Sequence, residues 1–93
     1  MPTVHLLIKG KVQGVFYRGS AREMAEKLDI TGWIRNTSEG DVEALISGNQ
    51  LNIDKFVNWC WQGPARARVD TVEVKREAEK SFDGFQVIRG TIF

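Results

Sequence analysis

The sequence has little of the chemical equipment on which many enzymes depend. Its 93 residues include one cysteine and one histidine, which excludes an internal disulfide, a zinc site of paired cysteines and a site of several imidazoles. Charges nearly cancel, with 13 Lys and Arg against 12 Asp and Glu, whereas nucleic-acid binders are usually strongly basic. No apolar run approaches the roughly 20 residues of a membrane helix, and no leader peptide is visible. We therefore expect one domain over residues 1–93, monomeric and cytoplasmic, with no metal, cofactor, nucleic acid or membrane partner.

The charges are distributed unevenly along the chain. The first 22 residues carry four basic side chains and no acid, namely Lys9, Lys11, Arg18 and Arg22. The rest of the chain is net acidic, because the total is only +1. A local positive field in an acidic chain favours a small anionic ligand over a polyanion, although basic side chains scattered on a solvated strand would give the same count.

The hydrophobic pattern alternates between strand and helix periods. Apolar residues at i, i+3, i+4 and i+7 predict a helix over residues 20–28, and a second helix is predicted over 51–62. Strands are predicted over residues 1–12, 31–36, 41–47 and 68–75, with a last short strand around 85–88 and a bulge possible in the fourth. This order predicts an α+β, ferredoxin-like βαββαβ sandwich: an antiparallel sheet with two helices on one face, plus a short C-terminal strand.

The second predicted helix has recognisable ends and one apolar stripe. Asn49 or Asn52 can cap its start, and Gly63-Pro64 is a stop signal. The stripe comprises Ile53, Phe56, Val57, Cys60 and Trp61, whereas Trp59 falls off it. Cys60 is therefore expected to be a buried thiol.

The loop over residues 13–18 is the first candidate site. It leads into a helix, where unpaired backbone N–H groups and the helix dipole attract anions. Gly14 lets the backbone approach a ligand closely, and Arg18 can match two phosphate oxygens with its planar fork. A plain strand–helix turn with a solvated arginine remains the alternative on these residues alone.

The end of the second strand is the other candidate. Asn36 is neutral and can both donate and accept hydrogen bonds, and this fold plan could bring it near the loop after the first strand. An asparagine that simply starts the turn over residues 37–40 would give the same pattern.

Two segments together resemble the signature motifs of the acylphosphatase family. They are residues 10–18 (GKVQGVFYR) and residues 32–42 (GWIRNTSEGDV), the latter continuing to Gly48. Tyr17 stands where Phe or Met is usual, and Ile34 where a smaller residue is usual, so the departures change packing and remove no functional group. Segment order and length agree with the family across nearly the whole chain.

The resemblance implies hydrolysis of a small acyl phosphate to a carboxylate and inorganic phosphate. It implies a phosphate-binding loop of Gln13, Gly14, Val15, Phe16, Tyr17 and Arg18. It also implies that Arg18 binds the phosphoryl group, that Asn36 positions the attacking water and that Thr37 supports Asn36. The composition is compatible with this chemistry, because a carboxylate leaves without a general acid and phosphoryl transfer asks mainly for positioning and charge stabilisation.

Other functions compete with this interpretation. The same fold plan carries RNA-recognition domains, but their glycine and aromatic sheet motif is not met. A metal-carrying or ligand-sensing ferredoxin-like domain is a third class, and the metal-carrying version would need the missing paired cysteines. Carbamoyl phosphate, the substrate of acylphosphatase-like domains in larger maturation proteins, is a related possibility. His5 is expected to be structural or exposed, the three tryptophans to serve packing, and the turn with Arg66 and Arg68 to be solvated or to meet the acyl group.

Overall fold

Alternation of strand and helix periods along the chain produces the predicted order of elements. The computed structural model describes residues 1–89. Its elements are β1 (Thr3–Lys11), α1 (Tyr17–Lys27), β2 (Thr31–Asn36), β3 (Val42–Ser47), α2 (Gln50–Gln62), β4 (Arg68–Glu77) and β5 (Phe85–Ile88). The ferredoxin-like α+β sandwich with an added C-terminal strand is thereby confirmed.

The sheet has the strand order β4-β1-β3-β2-β5. β1 pairs antiparallel with β3 and β4, and β2 pairs antiparallel with β3. β5 instead runs parallel to β2 and brings Ile88 beside Arg35. The sheet is therefore mixed, with the predicted antiparallel pairing in its four main strands and a parallel strand at one edge.

Strand alternation gives the sheet one buried and one outer face. On β1 the apolar residues Val4, Leu6 and Ile8 are buried, as is Thr3 at the start of the strand, whereas His5 and Leu7 are only partly buried. Residues of both helices complete the core with the buried face of the sheet: Ala21, Ala25, Ile53, Phe56 and Cys60. The outer face is consequently free to carry polar side chains.

The first helix begins earlier than predicted. It starts at Tyr17 rather than residue 20, so the predicted loop over 13–18 was too long and Arg18 lies in the first helical turn. The cause is the Tyr17 side chain, which is buried and donates its hydroxyl to the Cys60 carbonyl at 2.6 Å. That contact fixes the start of α1 against α2, and burial raises the pKa of the Tyr17 hydroxyl well above its usual range.

The second helix confirms its predicted cap but not the whole apolar stripe. The Asn49 side chain accepts a hydrogen bond from the Asn52 backbone N–H at 2.8 Å. Cys60 is buried, as predicted, and burial raises the pKa of its thiol to about 12. Trp61, however, is 48% exposed, and the partly buried Trp59 packs on Tyr17 with ring centroids 5.3 Å apart. Trp59 lies three residues after the buried Phe56 and so on nearly the same face of α2. This position turns the Trp59 ring toward α1.

The possible bulge is confirmed where β1 meets β4. The pairing register shifts between Lys9 and Gly10, and Gly10 has a φ of 137°. A Cβ at Gly10 would lie 2.1 Å from the Arg68 carbonyl oxygen, so only glycine fits there. β4 also continues to Glu77, two residues beyond its predicted end. Neither helix in the described part of the chain is long and apolar enough to cross a membrane.

Candidate active site

A cleft of about 600 Å³ opens where the loop after β1, the start of α1 and the β2–β3 hairpin meet. It extends onto the outer face of the sheet. Its lining comprises His5, Leu7, Gln13, Arg18, Arg35, Asn36, Thr37, Ser38, Glu39, Glu43 and Ile88. The two segments singled out from the sequence therefore meet in one cleft.

The backbone of the loop into α1 presents unpaired donors. Within residues 1–89, the N–H groups of residues 14–19 donate no hydrogen bond. Gly14 and Phe16 have φ angles of 75° and 63°, so the chain curls through left-handed conformations as it enters the helix. Unpaired N–H groups in such a turn, together with the positive end of a helix dipole, form an anion-binding concavity.

Phe16 holds the least common backbone conformation of this loop. It occupies the N-cap position of α1 in the left-handed region and makes no side-chain cap bond. Its ring is 67% exposed and lies over Gly19, where a Cβ would be 2.5 Å from a ring carbon. A left-handed aromatic residue is strained, and the missing side chain at Gly19 gives its ring the space to adopt that conformation.

The Arg18 side chain is held by a hydrogen bond to β5, the last strand of the described chain. One guanidinium nitrogen, Nη1, donates to the backbone carbonyl of Ile88 in β5 at 3.0 Å. Since guanidinium has five N–H donors in a fixed plane, this bond orients the group while leaving further donors. The parallel edge strand thus has a local role in holding the arginine side chain.

Asn36 ends β2 at the rim of the cleft, and its residue is exposed. The turn after it is closed by Thr37, whose N–H donates to the Asp41 carbonyl at 2.9 Å. The Thr37 hydroxyl in turn accepts from the Asp41 N–H at 3.1 Å. Thr37 therefore shapes the turn that directly follows Asn36.

The Gln13 side chain, unlike the backbone N–H groups of the loop, makes hydrogen bonds within the described chain. Its side-chain Nε2 donates to the carbonyls of Thr37 and Asp41, at 2.9 and 2.8 Å. The side-chain amide is thereby engaged with the hairpin, although Gln13 still lines the cleft.

A polar network on the outer face of the sheet was not anticipated from the sequence. Glu43 contacts His5 Nε2 at 2.6 Å and accepts from Arg35 Nε at 2.7 Å. Burial raises the pKa of the Glu43 carboxyl, but hydrogen bonds from His5 and Arg35 outweigh it and leave the pKa below its ordinary value. Arg35 also lies over the Trp33 ring, 5.2 Å from its centroid. The only sequence signal for this network is that its members occupy outward positions of their strands.

The donor set of the cleft differs from that of a metal site. Among residues 1–89 no group of three or more His, Cys, Asp or Glu side chains is arranged to hold a metal ion. Of the two carboxylates that line the cleft, Glu39 and Glu43, Glu43 is bound by His5 and Arg35. Independence from metal remains a prediction that the activity assay below tests.

The fold and the cleft define a class: a small α/β sandwich in which an arginine in the first turn of a helix and an asparagine at a strand end line the same cleft. Comparison with known proteins narrows this class. The sequence model of the family described as Acylphosphatase matches residues 4–87, and the chain belongs to that family. It is accordingly an enzyme of the kind that hydrolyses acyl phosphates.

Individual relatives agree with this assignment. The chain is 47% identical over 85 residues to an acylphosphatase of Rubrobacter xylanophilus, covering 90% of this chain and 77% of the relative. It is 43% identical over 84 residues to that of Pelotomaculum thermopropionicum, covering 89% and 91%. The structure of an acylphosphatase from Coxiella burnetii superposes with a TM-score of 0.90 at 39% identity, covering 94% of this chain and 92% of that one.

Proposed function

We propose that this chain hydrolyses acyl phosphates by holding the phosphoryl group on the amides of residues 14–19 and on Arg18, while Asn36 positions the attacking water. The observation that carries the proposal is that Gln13, Arg18 and Asn36 line one cleft. The backbone N–H groups of residues 14–19, which follow Gln13 and include Arg18, donate no hydrogen bond within the described chain. No metal or cofactor takes part in the proposed reaction.

The charge of the phosphoryl group is the first requirement that these residues meet. In a loose transition state, negative charge spreads over the three equatorial oxygens of the transferred group. Fixed N–H dipoles and a guanidinium stabilise that charge without having to reorganise during the reaction. The bond from Arg18 to the Ile88 carbonyl supports such a fixed orientation.

The second requirement is an oriented nucleophile. In the proposed reaction, the Asn36 amide holds a water whose oxygen attacks phosphorus in line with the leaving group. The bond between phosphorus and the acyl oxygen breaks, and its electron pair leaves with the carboxylate. The proton of the water passes to a phosphate oxygen of the substrate, so no protein base is needed. A carboxylate of pKa about 4 needs no general acid either.

These roles separate in a phosphate-release assay with benzoyl phosphate. We expect Arg18→Ala to lose both turnover and inhibition by inorganic phosphate, because ground and transition states share the arginine. Asn36→Ala should lose about 100-fold in kcat, or about 2.7 kcal/mol, while its inhibition constant for phosphate stays close to that of the wild type. Arg22→Ala is the matched control, since Arg22 lies on the same helix and pairs with Glu26 on the exposed surface.

Three results would contradict the proposal. Equal loss of phosphate affinity in the Arg18 and Asn36 variants would refute the division of roles. Loss of wild-type activity in a metal chelator would refute the metal-free reaction. Failure of the wild type to release phosphate from benzoyl, acetyl and carbamoyl phosphate would refute the function itself.

A further inference from the structure

We propose that Gln13 is a positioning residue that sets the place of Asn36 relative to the phosphate-binding loop. The inference rests on the proposed function and deepens it. It assigns Gln13 to the positioning of water, whereas the resemblance implies a place among the phosphate-binding residues.

Both hydrogens of one amide group are used by the hairpin. Gln13 Nε2 lies 2.9 Å from the Thr37 carbonyl oxygen and 2.8 Å from that of Asp41. Thr37 directly follows Asn36, and Asp41 stands at the other end of the same turn. The Gln13 side chain thus connects both ends of the turn to the backbone directly before Gly14.

The turn that Gln13 holds is itself a closed unit. Thr37 and Asp41 exchange two hydrogen bonds, from the Thr37 N–H to the Asp41 carbonyl and from the Asp41 N–H to the Thr37 hydroxyl. A unit closed in this way moves as a whole, so its distance from the loop depends on the contacts between them. Gln13 supplies two such contacts, and it directly precedes the first of the loop amides, that of Gly14.

The remaining chemistry of the Gln13 side chain does not suit phosphate. A primary amide has two N–H donors and one carbonyl acceptor. Since both donors are engaged, only the acceptor is left, and an acceptor repels phosphate oxygens. Loss of this side chain should therefore act on the positioned water and not on phosphate affinity. Misplacement of a reacting group by about 1 Å can cost about 100-fold in rate. Loss of both Gln13 hydrogen bonds should therefore have a measurable effect on kcat.

The test compares Gln13→Met, which keeps the length of the side chain and removes both donors, with the wild type. We expect kcat to fall about 10-fold or more, and the inhibition constant for inorganic phosphate to change less than about 2-fold. Gln50→Met is the matched control, because Gln50 also donates from its side-chain amide, to Asp54, but at the exposed start of α2. Gln13→Ala repeats the measurement in case the methionine packs poorly.

A double-mutant cycle distinguishes positioning from a general effect on the fold. If Gln13 acts through Asn36, Gln13→Met should cause little further loss of kcat in the Asn36→Ala background. A merely structural contact would lower the unfolding midpoint and reduce kcat by the same factor in both backgrounds. The cycle is therefore read together with thermal unfolding of all four proteins.

Each outcome has a separate meaning. Unchanged kcat in both Gln13 variants, a multiplicative loss in the double variant, or a rise in the phosphate inhibition constant equal to the fall in kcat would overturn this inference alone. Absence of wild-type turnover would overturn the proposed function, and this inference with it.

Discussion

Glu43 has the most altered environment of any carboxylate in residues 1–89. Its side chain is 19% exposed, and its two oxygens contact His5 and Arg35. Taking a carboxylate partly out of water disfavours its ionised form, whereas hydrogen bonds to that form favour it. The hydrogen bonds prevail, and the pKa of Glu43 lies below its ordinary value.

This direction predicts how the stability of the protein depends on pH. A carboxyl whose pKa is lower in the folded state stabilises the fold above its unfolded pKa, and that contribution is lost as the pH falls through the folded pKa. We expect Glu43→Gln to lower the free energy of unfolding by about 1 kcal/mol at neutral pH. The difference should shrink below about pH 4.

Urea unfolding at neutral and acidic pH measures this difference. Glu23→Gln is the control, because Glu23 is exposed on α1, and its effect should stay within about 0.5 kcal/mol. If Glu43→Gln lowers the free energy of unfolding equally at both pH values, the ionised form of Glu43 does not stabilise the fold.

Among individual residues, those in short local motifs could be predicted from the sequence, whereas hydrogen bonds between distant segments could not. The loop glycine, Arg18 and Asn36 could be singled out because their chemistry is visible in short segments. The bonds of Gln13 and Glu43 depend on strand register, and a shift of one residue would turn Glu43 to the other face. No local pattern in the sequence fixes that register.

Among the elements, α2 shows most directly how a short sequence signal sets a helix boundary. The Asn49 side chain accepts from the Asn52 N–H at 2.8 Å, which satisfies one donor of the first helical turn. The cap lies at the opposite end of α2 from the Cys60 carbonyl that binds Tyr17. It should therefore matter for stability without affecting the cleft.

We expect Asn49→Ala to lower the free energy of unfolding by about 1 kcal/mol and to leave kcat unchanged. Asn49→Asp, which keeps an acceptor, should lose much less. Asn58→Ala provides a second control, because Asn58 is exposed within α2 and alanine is the better helix former. Equal destabilisation by the alanine variants at 49 and 58 would show that the cap contributes nothing of its own.

The boundary of α1 illustrates what element prediction misses. Tyr17 lies one helical turn before Ala21 and continues the apolar period, but residues 13–18 were predicted to form a loop and the helix to start at residue 20. In the structure the helix begins at Tyr17, because that side chain is buried against α2. The Trp61 error has a similar cause, since the packing of Trp59 on Tyr17 depends on a neighbouring helix. Tertiary contacts decide both, and they act between segments more than 40 residues apart.

At the scale of the whole molecule, the order of elements was predictable and the pairing of the last strand was not. The βαββαβ pattern follows from alternating periods and turn residues. The parallel alignment of β5 with β2 does not follow from them, although it brings the Ile88 carbonyl to Arg18. The cleft is thus completed by segments from both ends of the described chain, around a loop in the positively charged first quarter.

The central claim is that water attacks phosphorus while the loop amides and Arg18 hold the phosphoryl group. Hydrolysis of benzoyl phosphate by the wild-type protein in water enriched in oxygen-18, followed by mass spectrometry of both products, tests it most directly. The account predicts that the label enters inorganic phosphate and that benzoate stays unlabelled. Label in benzoate would mean that water attacks the carbonyl carbon, and it would contradict the roles assigned to Arg18, Asn36 and the loop.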